Sequence, residues 1–417
     1  MGSENYIVGL DIGTTKVCAI VGRSAGHSVE IVAYGVSPCS GLRKGVVVDM
    51  DVTVESIKKA VEEAEASSGL SIKAAYVGIA GSHIKCFDSY GATGIKGKEV
   101  TKGDLAKVID SASSVYVPLD RDVLHILPSD FIIDGQDGIV QPVGMSGVRL
   151  EAKVNIVTAS HSVVENLLKC CERAGVRAID VVLEPVATSR AVLNDDELDS
   201  GVALVDIGGG TTDIAVYKHG RLRDTSIIAI GGSHLTNDIA IGLRLSQKEA
   251  ERVKKTYGCA LADSVGAAEE MDVAGINGEE KKIPRRYIAE IVGPRCEELF
   301  GLIRSELKDH LLYCAVLTGG TSLLTGIDRL AEAALGLPVR TGTPQRGSLS
   351  AGTVYESLRS PVYSTCVGLM LYGLDSEYES CIHEDVMDRV SRWFKNWRMP
   401  RIKQPFKQSI RVLTDKI

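Results

Sequence analysis

The chain has 417 residues, 44% hydrophobic and 24% charged, which is too long for one compact core and predicts two or more lobes of ordinary soluble composition. No run reaches the ~18 apolar residues of a membrane span, since the longest, residues 363–374, is interrupted by Ser364, Thr365 and two glycines, and the N-terminus has no basic leader or apolar signal core, so export is not expected. The net charge of −7 divides into +7 on residues 387–417, with nine basic and two acidic side chains, and −14 on the rest; an acidic body argues against general nucleic-acid binding, and a basic tail suits an anionic partner.

Residues 6–10 are apolar, Asp11-Ile12-Gly13-Thr14-Thr15 follows as a tight turn, and residues 17–21 are apolar again. This predicts a strand, a Gly/Thr turn and a second strand. Residues 51–68 are predicted as a helix, because Val54, Ile57, Val61 and Ala64 recur at helical spacing and Gly69 suits its end. Residues 74–80 form a buried strand. From about 81 to 160 the texture changes. A helix over 102–113 is set among strands at 123–127, 131–133 and 149–158, which predicts a small α+β insertion. Residues 162–174 are a helix ended by Gly175. A strand at 181–183 stops at Glu184-Pro185, where another helix begins.

The second half repeats the opening. Residues 202–205 are apolar, Asp206-Ile207-Gly208-Gly209-Gly210-Thr211-Thr212-Asp213 is the turn, and residues 214–217 are apolar. A mainly helical stretch follows over 234–310. Within it, residues 262–283 are rich in Asp, Glu and Gly and are expected to be exposed. A strand at 312–318 ends in Gly319-Gly320-Thr321-Ser322. Residues 363–372 are the last buried helix, 376–385 an acidic linker, and the basic tail comes after it. Ten scattered cysteines without a CxxC pair predict buried thiols in a reducing compartment, and the eight histidines have no metal-ligand spacing.

The duplicated unit predicts two similar half-domains facing one another across a cleft. Glycines let backbone N–H groups approach phosphate oxygens, and threonine hydroxyls add donors. Gly13, Thr14 and Thr15, and Gly208, Gly209, Gly210, Thr211 and Thr212, are therefore candidate phosphate-binding residues. Asp11 and Asp206, at strand ends, suit a Mg2+ ion held through water. Lys16 could reach a phosphate. Glu184, before its proline, could orient a water toward a terminal phosphoryl group, which makes it, with the two aspartates, the candidate catalytic set. Gly319 and Gly320 would let a flat base lie against backbone. Any one of these pieces alone can be a plain turn; all four in this order, with the duplication, point to a nucleotide.

These segments resemble the actin-like ATPases. Residues 9–22 are similar to the first phosphate segment, 203–217 to the second, 183–187 to the connecting segment and 316–322 to the adenosine segment. Glu251-Arg252-Val253-Lys254 resembles the helix of chaperone-type members whose Glu and Lys hold ribose and adenine. Within that superfamily, residues 81–85, 144–151 and 285–295 resemble the FtsA family of bacterial cell-division proteins, over about residues 5–375. The resemblance implies an α/β, actin-like two-lobed ATPase fold with duplicated half-domains, a small α+β insertion subdomain and a C-terminal amphipathic helix. It implies ATP and Mg2+ as cofactors, at most slow hydrolysis, and Gly231, Gly232, Glu251, Lys254 and Ser322 as further nucleotide-binding residues. The expected division is a first lobe (1–80, 161–195 and 355–383), an insertion (81–160), a second-lobe core (196–235 and 314–354), a helical subdomain (236–313) and a tail (384–417). The implied function is to polymerise on the cytoplasmic side of the inner membrane at the division septum. There it would tether FtsZ filaments of the Z ring and help recruit later division proteins. Arg285, Arg286 and Arg295, three arginines within eleven residues, would receive the FtsZ C-terminal tail.

At 100° per residue, Met387, Val390, Trp393, Phe394 and Trp397 share an arc of about 120°, with Arg389, Arg392 and Lys395 on the far side. This is the pattern of an interfacial helix on anionic lipid; the alternative is a helix docked on the protein's own body. Beyond Pro400, residues Phe406, Ile410, Leu413 and Ile417 again share a face, as a second interfacial helix or within a disordered basic tail. Two other functions compete: an FtsA-like scaffold of a type IV pilus assembly complex, which leaves the amphipathic tail unexplained, and a sugar kinase, which the chaperone-like form of the second turn disfavours.

Overall fold

Two five-stranded sheets built to one plan carry the molecule. The structure, a computed structural model, describes residues 6–25, 28–266, 268–275, 279–345, 349 and 353–382, with the backbone alone for Ala25, Thr353 and residues 376–382. In the first sheet, β1 (Tyr6–Ile12), β2 (Lys16–Ala25) and β3 (Ser28–Pro38) form an antiparallel meander. A small hairpin of β4 (Leu42–Arg43) and β5 (Val46–Val47) leads into α1 (Met50–Ser68), and β6 (Ala74–Ile79) then pairs with β1 in parallel. The chain leaves the lobe for β7 (Lys85–Gly94), α2 (Lys102–Ser113), β8 (Arg121–Ile133), β9 (Gln136–Ile139) and β10 (Arg149–Ser160). These strands form a separate antiparallel sheet in the order β7-β10-β8-β9, with its own core of Leu105, Ile109, Phe131 and Leu150. The chain returns through α3 (His161–Arg173) to β11 (Arg177–Leu183), which completes the order β11-β6-β1-β2-β3.

Helices α4 (Glu184–Val192) and α5 (Asp195–Ser200) lead to the second lobe. There β12 (Val202–Ile207), β13 (Thr212–Lys218) and β14 (Arg221–Ile228) repeat the meander. After α6 (Gly232–Leu243), α7 (Gln247–Tyr257), a hairpin of β15 (Glu270–Ala274) and β16 (Glu280–Pro284), and α8 (Arg286–Leu307), β17 (Cys314–Thr318) pairs with β12 in parallel. Helix α9 (Ile327–Leu335) then precedes β18 (Val339–Thr341), giving the order β14-β13-β12-β17-β18. Each sheet therefore runs third, second, first, fourth, fifth strand of its own half. After the second lobe the described chain returns to the first lobe with α10 (Thr353–Ser357) and α11 (Ser364–Ile382).

Local chemistry explains the elements that position the cleft. Helix α1 starts where the Asp49 side chain accepts the Val52 N–H at 3.1 Å and stops at Gly69, with φ 70°. It buries Val54, Ile57, Val61 and Ala64 against the first sheet, each large aliphatic contributing about 1.5–3 kcal/mol. Strands β1 and β12 are buried over nearly their whole length, so they can hold side chains at their C-terminal ends in fixed positions.

Three expectations are corrected. Residues 262–283 are not simply an exposed stretch: the alternation Glu270-Met271-Asp272-Val273 makes β15, and Met271 and Val273 are buried within the subdomain read as helical. The segments 123–127 and 131–133 are one strand, because a bulge opposite Lys153 and Val154 accommodates Pro128. The last helix does not stop at Tyr372. Neither glycine nor proline follows Gly373 before Ile382, and α11 continues through the first seven residues of the expected linker.

Candidate functional site

The two turns meet. In each, the glycine after the aspartate strand donates its N–H across the hairpin, Gly13 to the Lys16 carbonyl and Gly208 to the Thr211 carbonyl, both at 2.9 Å. A Cβ added to Gly209 would lie 2.4 Å from Thr15 Cγ2, and one on Gly210 2.8 Å from Thr14 Oγ1. Only glycine permits the second turn to approach the first this closely. Beside them opens a cavity of about 480 Å3.

Its walls bring together most of the residues singled out from sequence. Asp11 and Lys16 enter from the first hairpin and lie 3.2 Å apart. Gly13, Thr14 and Thr15 line one side, and Gly208, Gly209, Gly210 and Thr211 another. Glu184, the first residue of α4, reaches the cavity from the end of β11. Asp206 comes from the end of β12, and its Oδ2 accepts the Thr365 hydroxyl at 3.0 Å. Glu251 and Lys254 line the cavity from α7, joined by a 2.7 Å ion pair, and Lys254 also donates to the Gly232 carbonyl at 3.0 Å. Gly319 and Gly320 contribute backbone, Gly319 at φ 82°.

Four expected binding residues do not line the cavity. Thr212 donates to the Ile230 carbonyl at 2.8 Å, and Ser322 to the Gly319 carbonyl at 2.7 Å. Gly232 donates its N–H to the Gly208 carbonyl at 2.9 Å, so it and Gly231 brace the second turn from behind. Asp213, Thr321 and Thr365 do line it, and none of them was singled out. Asp213 closes the second Gly/Thr turn with a carboxylate, a signal available in the sequence. Thr365 left only the polar break it makes in the apolar run 363–374.

The charge of the site has a clear cause. Burial pushes the Asp213 carboxyl up to about 8, with Asp206 adding to the effect. Thr211 donates to its Oδ2 at 3.1 Å, while Oδ1 is buried without a protein partner. Burial also pushes Asp206 up to about 6, against the Thr365 hydrogen bond and with help from Asp11. Glu184 is raised well above the usual carboxylate range by burial and then by Asp11, Asp213 and Asp206. For Lys16 burial opposes the charge, but Asp11 holds the ammonium on balance above its ordinary value. Four carboxylates against Lys16 favour a divalent cation. Among the described residues no three His, Cys, Asp or Glu side chains converge closely enough to hold a metal directly. The set therefore fits a cation that keeps its water shell, as Mg2+ does, and the orphaned Asp213 Oδ1 is an acceptor for such a water.

The three arginines are divided. Arg285 pairs with Glu269 at 2.7 Å, and Arg295 with Asp238 at 2.8 Å and Glu298 at 2.6 Å. Arg286 is exposed, its guanidinium 5.7 Å from the centre of the Tyr287 ring. Met387, Val390, Trp393, Phe394 and Trp397 lie outside the described residues. Among the described residues no helix is long and apolar enough to cross a membrane.

Comparison with known proteins places the chain. The family model described as cell division protein FtsA matches residues 203–368. The model of the SHS2 domain inserted in FtsA matches residues 81–158. The chain is 43% identical over 411 residues to the cell division protein FtsA of Pseudomonas aeruginosa, covering 94% of this chain and 98% of that one. Among solved structures, a chain of the PilM-PilN type IV pilus biogenesis complex superposes with a TM-score of 0.65 at 18% identity, over 88% of this chain and 98% of that one. MreB5 of Spiroplasma citri bound to ADP gives 0.52 at 17% identity, over 94% and 99%. At such identities the structural likeness shows the fold alone.

Proposed function

The chain belongs to the FtsA family of bacterial cell-division proteins, and from that premise we propose that it is an actin-like protein that binds ATP with Mg2+. It assembles into filaments on the cytoplasmic side of the inner membrane at the division septum and ties FtsZ filaments of the Z ring to it. The observation that carries the nucleotide part is the meeting of two glycine-rich turns over four carboxylates. Backbone N–H groups and threonine hydroxyls of the turns bind phosphate oxygens, with Lys16 as the added cation. Asp11 and Asp206 hold Mg2+ through its waters, and the ion, when bound, neutralises phosphate charge. Glu251, Lys254, Gly319 and Gly320 take the nucleoside. Glu184 orients a water toward the terminal phosphoryl group, so that any hydrolysis, slow in this reading, depends on it.

The helical subdomain over 236–313, with its β15–β16 hairpin, receives the FtsZ C-terminal tail through Arg286 and its neighbours Arg285 and Arg295. Residues from Met387 onward hold the protein to anionic lipid, and later division proteins join the assembled filament. The pilus-scaffold reading is not favoured, because the likeness to the pilus protein is one of fold, whereas the family match extends through the sequence. The deciding measurement is ATP affinity in Mg2+ by calorimetry. Asp206→Ala is expected to weaken it by at least the ~1–3 kcal/mol of a lost charge-assisted contact. Unchanged affinity would sink the two-lobe cleft as the nucleotide site.

A further inference from the structure

Thr365 stands on the first turn of α11, 8% exposed. Its hydroxyl lies 3.0 Å from Asp206 Oδ2 and 3.1 Å from Thr188 Oγ1. An ionised carboxylate only accepts, so the single Thr365 proton goes to Asp206 and the Thr188 hydroxyl donates to Thr365. The direction of the chain is thereby fixed: Thr188 to Thr365 to Asp206. Thr188 lies four residues after Glu184 on α4, on the same helix face one turn along. The other Asp206 oxygen is hemmed in by backbone, since a Cβ on Gly319 would lie 2.3 Å from Oδ1. One carboxylate oxygen is therefore held by a hydroxyl of α11, and the other lies close to the Gly319 backbone.

A Thr–Thr–Asp chain linking three elements is not needed to close a helix end. Thr365 faces the cavity, whereas Thr188 behind it is fully buried. We propose that Thr365 is a positioning residue for the cation site: its hydroxyl, itself oriented by Thr188, sets the angle of the Asp206 carboxylate toward the water shell of Mg2+. The same chain registers α4, which presents Glu184, against the strand that presents Asp206. This inference rests on the nucleotide reading above and assigns a role within it to two hydroxyls outside the glycine-rich turns.

The test is the Mg2+-dependent part of ATP affinity in the full chain, measured by calorimetry in excess Mg2+ and again with the metal chelated. Thr365→Val is expected to lose about tenfold with Mg2+, the size of a hydrogen bond to a charged group, and to match wild type in chelator. Thr365→Ser should restore the Mg2+ increment, and Thr188→Val should lose less than Thr365→Val. Equal losses with and without metal, or a serine variant no better than valine, would overturn the proposal. Should the valine variant fail to fold, Thr365→Ala, which adds no bulk, is read the same way against the serine variant. Asp206→Ala separates the two levels of argument. If it loses the Mg2+ increment while Thr365→Val keeps it, the positioning role falls and the nucleotide reading stands. A wild-type protein indifferent to Mg2+ overturns both.

Discussion

Gly319 shows how narrowly the site is built. Its φ of 82° is costly for any L side chain, and a Cβ there would meet Asp206 Oδ1 at 2.3 Å. Gly319→Ala is expected to lose about 1–2 kcal/mol from the backbone conformation alone and to displace the carboxylate as well. Its melting temperature should fall, and ATP with Mg2+ should no longer raise it; wild-type behaviour in both would show that the turn does not hold Asp206. A second residue makes stability depend on pH. Asp180 is buried, accepts the Tyr372 hydroxyl at 3.1 Å and the Val181 N–H at 2.9 Å, and is pushed by burial up to about 7 against both bonds. The folded state therefore holds a proton that the unfolded chain releases near pH 4, and stability falls as pH rises from about 4 to 7. The loss can approach about 4 kcal/mol at 1.36 kcal/mol per pH unit. Urea midpoints should fall between pH 5 and 7.5, and Asp180→Asn should lessen the fall, the remainder coming from the raised carboxyls of Asp206, Asp213 and Glu184; an unaltered slope would assign all of it to those groups. At this scale Asp11, Asp206 and Glu184 were legible because a carboxylate at a strand end beside glycine or proline is a local signal. Thr365 was not legible, because its partner Asp206 is 159 residues away and only folding makes them neighbours.

Elements were legible where a single face repeats. Helix α1 buries the four residues its spacing marks, and α2 spans the residues expected. Strand β15 was hidden by its composition, since two charged residues alternate with Met271 and Val273, and the length of α11 was hidden by acidic residues that neither favour nor break a helix. The tail, outside the described residues, remains a proposal with a strong physical premise. Burying Trp393, Phe394 and Trp397 removes a few hundred Å2 from water at about 25 cal/mol per Å2, so the apolar face should outweigh the charges. Trp393→Glu combined with Trp397→Glu should abolish flotation with anionic liposomes, whereas high salt should only weaken it. A chain truncated before Met387 that still floats would refute the anchor. Deleting residues 401–417 should reduce flotation partly if they form a second interfacial helix, and barely change it if they are disordered.

For the whole molecule, the duplicated turn announced two facing halves, and the sheets repeat one strand order. The sequence reading did not disclose that β3 and β14 extend each meander, although His219 and Gly220, at φ 54° and 68°, make the tight turn that leads into β14. The placement of the arginines on the second lobe also carries a prediction. Arg286 is exposed, while Arg285 and Arg295 are held by carboxylates of their own chain. Arg286→Glu should weaken binding of an FtsZ tail peptide in fluorescence anisotropy and lower its salt dependence without changing the melting temperature. Arg295→Glu should lower the melting temperature as well, because it leaves Asp238 and Glu298 facing a like charge. If peptide affinity and salt dependence are the same in the Arg286→Glu protein, that arginine is not in the site.

The return of α11 to the first lobe has a consequence for how the protein is made. Cys366 on α11 donates to the Gly9 carbonyl at 3.4 Å, and Asp375 pairs with Arg190 of α4 at 2.9 Å. All five strands of the first sheet have been synthesised by Leu183, yet the helix that covers β1 is not synthesised until after the whole second lobe. On the ribosome the lobe begun first is thus finished last, and in the interval its apolar face must be shielded by other means. A nascent chain stalled before Ser364 should bind chaperones or aggregate, and one stalled after Ile382 should not. The segment proposed to bind lipid follows α11 in the sequence, so it emerges only once everything needed to complete the body has been translated.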